Sequence, residues 1–79
     1  MKICVLRRDG ENVHNGMLAV VHPLVKEFFG EREIYIQNSN EAFTQTLMFE
    51  IPHYLESKIV PFIMEISSIN ILYAVRIIK

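Results

Sequence analysis

Cysteine occurs once among the 79 residues, at Cys4, and that scarcity removes two kinds of staple. No disulfide can close within the chain, and no thiolate zinc cluster can assemble. A single thiol is compatible with a reducing setting, so a cytoplasmic location is the expectation. Basic excess is missing as well. Eight Lys and Arg stand against nine Asp and Glu, a formal net charge of −1. Dedicated nucleic-acid binders draw much of their affinity from neutralised phosphates, so this balance speaks against that class. No apolar run approaches the ~20 residues that span a bilayer. Lys2 is followed by alternation into Arg7 and Arg8, which is wrong for a signal peptide. The reading is a soluble chain with no membrane partner.

Apolar side chains are what the chain has in quantity. Leu, Ile, Val and Phe make up 29 of the 79 residues, and 11 of these are Ile. Residues 1–79 suit one domain, near the size at which a single core suffices. A core that small seldom yields more than ~3–5 kcal/mol without a metal, a disulfide or a partner. Some of this apolar surface must therefore face water or meet another chain.

Lys2 to Arg7 alternates as a strand, with Ile3 and Val5 on one face and Cys4 and Leu6 on the other. Beyond a polar stretch, Met17, Val20, Val21, Leu24, Val25, Phe28 and Phe29 recur at helical spacing. Asn15 suits the N-cap and Gly30 the C-terminal stop, while Pro23 predicts a kink or a later start. Glu33–Gln37 reads as a second strand with Ile34 and Ile36 inward, and Asn38–Glu41 as a turn. Thr44–Ile51 reads as a third strand. Pro52 opens a second helix, with Leu55, Ile59, Phe62, Ile63 and Ile66 inward and Pro61 interrupting it. Ile69–Lys79 alternates as a last strand.

The order is β-α-β-β-α-β, and the halves echo each other. PLVKEFFGEREIYI from Pro23 lies without a gap over PFIMEISSINILYA from Pro61, with Glu27/Glu65 and Tyr35/Tyr73 coinciding. Two split β-α-β units predict an α+β fold, a two-layer ferredoxin-like βαββαβ sandwich. The alternative takes MLAVV as a strand and gives ββαβαβ.

Helices cover one face of such a sheet and leave the other to solvent, where polar residues should alternate. They do so poorly here. The fold places Cys4, Leu6, Met48, Leu72, Ala74 and Tyr35 on that second face. Leu6, Met48, Leu72 and Ala74, with Arg76 at the rim, are the candidate interface residues.

Arg7–Gly16 (RRDGENVHNG) would end at a helix N-terminus, where backbone N–H groups attract anions. Arg7, Arg8, His14 and Gly16 are accordingly candidates for binding an anion, a nucleotide or nucleic acid. The plainer reading makes Asp9-Gly10 and Asn15-Gly16 loop formers. A small enzyme would have to use Asp9 and His14. The acylphosphatase signature GxVQGVxFR, the CxxC of heavy-metal-transport domains and the aromatic motif of RNA-recognition modules are all unmatched. Small CRISPR-associated nucleases of this shape carry an aspartate after the first strand, a place Asp9 shares only loosely. His14, His22 and His53 lie on different elements, so no metal or other cofactor is expected. Glu27, Glu31, Glu56 and Glu65 read as solvated. The sum favours a non-enzymatic interaction module that pairs with itself as a homodimer or docks on a larger protein. A small regulator or inhibitor fits this description, virus-encoded ones included.

Overall fold

The stripe that begins at Met17 forms a continuous helix in the computed structural model, which describes residues 1–38 and 45–78. The chain runs β1 (Lys2–Arg7), α1 (Asn15–Phe29), β2 (Tyr35–Asn38) and β3 (Gln45–Glu50). A 3-10 helix, His53–Lys58, leads into α2 (Ile59–Ile69), and β4 (Tyr73–Ile78) follows. The sheet order is β2-β3-β1-β4 with every described pair antiparallel. This is the ferredoxin-like βαββαβ arrangement. The alternative with MLAVV as a strand is excluded, because those residues lie inside α1.

Alternation sets which side of each strand meets the helices. Ile3 and Val5 of β1 pair with Phe49 and Leu47 of β3, and all four are fully buried. Met17, Val21, Val25 and Phe29 bring the α1 stripe onto them, and Ile59, Phe62 and Ile66 bring α2. Phe62 is the hub. Its ring lies 5.1 Å from Phe29, 5.9 Å from Phe49 and 5.9 Å from Phe28, each at an edge-on angle. Such tilted pairs contribute beyond the area they bury.

Neither proline breaks its helix. Pro23 lies inside α1 and Pro61 is the third residue of α2. Pro23 deprives the Ala19 carbonyl of an N–H partner, but both residues are exposed, so water can bond it. Gly30 ends α1 at φ 79°, a left-handed conformation that glycine adopts without strain, and its N–H bonds Lys26 O at 3.0 Å.

Several boundaries differ from expectation. β2 starts at Tyr35, not Glu33, and Ile36, on the helix side opposite Leu47, is left exposed at the sheet edge. The last strand starts at Tyr73: Ile69 closes α2, and Ile71 stands exposed in a turn. Asn70 makes that turn, its Oδ1 accepting the Leu72 N–H at 2.9 Å and its backbone O the Tyr73 N–H at 3.0 Å. The expectations for Thr44, Lys79 and most of the Asn38–Glu41 turn lie outside the described residues. The internal echo holds for the helical segments, Asn15 and His53 each opening one 38 positions apart. It fails in the strands, where Tyr35 sits opposite Met48 on the open face and Tyr73 is buried on the helix side.

Candidate functional site

The polar stretch between β1 and α1 satisfies itself. Arg7 grips Asp9 with two hydrogen bonds, Nε to Oδ1 at 3.1 Å and Nη2 to Oδ2 at 2.6 Å. Asp9 Oδ1 also accepts the Glu11 N–H, and Gly10 N–H bonds Arg7 O at a glycine φ of 76°. The Arg7 hydrogen bond holds the Asp9 carboxyl below its ordinary value and raises the guanidinium in turn. A cation so engaged is not waiting for a phosphate. Arg8 is exposed and points no described contact toward the helix start.

At that helix start stands His14, not Asn15, as the N-cap. Its Nδ1 accepts the Met17 N–H at 3.1 Å, so this nitrogen is an acceptor and cannot donate to an anion. The imidazole fills the place where an anion would lie. Gly16 has a role to match: a Cβ there would sit 3.1 Å from His14 Nδ1 and Cε1. Glycine makes room for the capping ring. The reading of this stretch as a turn therefore accounts for His14 and Gly16 as well as for Arg7 and Asp9.

One prediction separates the cap from an ordinary helix glycine. His14→Ala should cost about 1 kcal/mol by leaving the Met17 N–H uncapped. In the native protein Gly16→Ala obliges the His14 ring to give by a few tenths of an ångström, which offsets alanine's helix advantage. In the His14→Ala background the same Gly16→Ala should stabilise, by up to ~1 kcal/mol, because alanine is the better helix residue. Urea denaturation of the four proteins would show a more favourable Gly16→Ala effect in the His14→Ala background, and an effect of equal size in both backgrounds contradicts the contact between ring and glycine.

Lys2, Glu50, His53 and Glu56, with Met1 and Ile78, line a further open pocket. Among the described residues no group of three or more His, Cys, Asp or Glu side chains is placed to hold a metal ion. An open groove along α1 is lined by Leu18, Ala19, His22, Pro23, Arg32 and Ile34. One N–H of its guanidinium is engaged, Arg32 Nε donating to Phe29 O at 3.0 Å. Cys4 is buried. Among the described residues no helix is long and apolar enough to cross a membrane.

The open sheet face brings the candidate interface residues together. Cross-strand pairing sets Tyr35, Met48, Cys4 and Arg76 in one row and Leu6 beside Ala74. Leu72 extends the β4 side, its carbonyl accepting the Arg8 N–H at 2.6 Å. The face is less bare than alternation implies. Met48 is 3% exposed and Cys4 4%, so Met48 is not an accessible contact residue. Lys2 and Glu50 face each other near one end of this side. Most of the accessible apolar surface lies at the β4 edge of this face and beyond it. Val60 and Met64 point outward from α2, and Ile71, Leu72, Ile77 and Ile78 follow along the turn and β4.

No family model, curated protein or solved structure matches the chain.

Proposed function

We propose that the protein is a non-enzymatic interaction module whose contact surface runs along α2, the Asn70–Leu72 turn and β4. One observation carries this reading. Of the ten large hydrophobic residues exposed among the described residues, seven fall between Val60 and Ile78. Surface Ile and Leu scattered singly would need no explanation, whereas seven gathered on one helix, the turn after it and the adjoining edge strand mark a side of a small protein where something binds. α2 has a single charged residue, Glu65, so its outward side lacks the polar cover usual for a surface helix. A small regulator or inhibitor works by presenting such a surface to another chain.

A hydrophobic dye tests the reading on the isolated protein. The dilute folded chain should bind the dye, and Val60→Lys/Met64→Lys should lose much of that binding without loss of cooperative unfolding. A folded chain that binds no dye has no such surface, and the reading fails.

A further inference from the structure

We infer that the occupant of this surface is a second copy of the chain, joined edge to edge through β4 into one continuous eight-stranded sheet. The inference rests on the reading of the α2–β4 side as a contact surface and adds the partner, the symmetry and the register.

The backbone supplies the first argument. β4 is an edge strand of six residues, without proline or lysine. Long unguarded edges invite another strand. β2, at the opposite edge, has only four residues. The Leu72 carbonyl accepts from Arg8, so Leu72, Ala74, Arg76 and Ile78 turn their backbone groups toward β1. The Val75 and Ile77 groups and the Tyr73 carbonyl then point away from the sheet. The Tyr73 N–H is already donated to Asn70 O.

Charge and overlap choose the register. A two-fold axis normal to the sheet pairs two copies of β4 antiparallel with both helix layers on the same side. Centring the axis at Arg76 would set two guanidinium groups face to face, which is unfavourable in a cross-strand pair. Centring it at Val75, midway between Leu72 and Ile78, removes that conflict and uses the whole strand. Each Arg76 then lies opposite the small Ala74 of the other copy. Leu72 meets Ile78 on the open face, 37% and 43% exposed in the single chain. Ile77, 41% exposed, meets Tyr73 on the helix side. The two Val75 residues exchange both backbone hydrogen bonds, and each Ile77 N–H reaches the Tyr73 carbonyl of the other copy. Of the outward groups named above, only the Ile77 carbonyl is left without a strand partner, because the Tyr73 N–H opposite it is held by Asn70 O. α2 packs against β4, so the two α2 helices come alongside each other above the joint.

Cysteine scanning under mild oxidation tests this arrangement in the full chain. Val75→Cys should give a covalent dimer, because only at the axis does a residue meet itself. Arg76→Cys and Ile77→Cys should remain largely uncrosslinked. Val75→Pro removes an outward N–H that β1 does not use, so it should leave the circular dichroism intact while reducing the mass by light scattering to that of a single chain. Preferential crosslinking at Arg76 or Ile77, or a Val75→Pro protein that stays folded and paired, overturns the inference. A wild-type chain that is single at every concentration also overturns it, and dye binding by that single chain would leave the broader reading standing. A paired wild type in which Val75→Cys does not crosslink means that the copies meet by another route.

Discussion

Replacing Phe62 with alanine should leave the protein without a folded state at room temperature. Phe62 is fully buried and touches three other rings, from α1 and from β3, so both helices and the sheet meet at its side chain. Truncating a buried phenylalanine costs about 3–5 kcal/mol through lost transfer energy and the cavity left behind. A core of this size provides no more than ~3–5 kcal/mol in total, so one substitution consumes the margin. Circular dichroism should show loss of the cooperative thermal transition. Phe62→Leu fills most of the volume but gives up the ring contacts, each worth roughly 0.5–1.5 kcal/mol, and should stay folded with a lower midpoint. A Phe62→Ala protein with a normal transition would mean that the aromatic hub does not hold the layers together.

Leu72→Glu should have the opposite profile, with little effect on stability and a large effect on association. The fold uses the Leu72 backbone, through the bonds to Arg8 and Asn70, while its side chain is partly exposed in the turn. A substitution of that kind changes stability by no more than about 0.5 kcal/mol. In the paired arrangement the same side chain packs on Ile78 of the other copy, and the two-fold axis repeats the change. Partial burial of a leucine contributes on the order of 1 kcal/mol, so two copies together should weaken association about 30-fold at ~1.4 kcal/mol per decade. Desolvating the new carboxylates adds to the loss. Light scattering over a concentration series would read it. Unchanged association in a folded Leu72→Glu protein would remove Leu72 from the interface.

The reasons these two residues differ were unequally legible in the sequence. The seven apolar positions from Met17 to Phe29 announce α1, because helical spacing is a property of the chain itself. The alternation Ile3-Cys4-Val5 likewise shows which side of β1 is buried. The end of α2 is not legible in the sequence, because Ile69, Ile71 and Tyr73 alternate like a strand while the turn depends on the Asn70 side chain accepting the Leu72 N–H. His14 gave no sign of being the cap. Histidine is not a favoured N-cap residue, and what admits its ring is the missing Cβ of Gly16, a spatial fact with no periodic trace. On the open face, alternation places Met48 and Cys4 correctly but cannot show that both are buried there. Val60 and Met64 escaped notice for a related reason. A search for the buried stripe of α2 finds Ile59, Phe62 and Ile66 and leaves apolar residues on the outer side without comment.

The candidate anion site teaches the same lesson from the other side. Two arginines, a histidine and two glycines at a helix start have the composition of a phosphate site. Geometry spends Arg7 on Asp9 and His14 on the helix end, so the residue types were legible while their engagements were not.

Sedimentation equilibrium across a range of protein concentrations is the most direct test that the apolar α2–β4 side is made to be covered. The account predicts a mass that rises from the 9.2 kDa of one chain toward twice that value as concentration increases. A mass fixed at 9.2 kDa throughout, from a folded chain that also binds no hydrophobic dye, would contradict it.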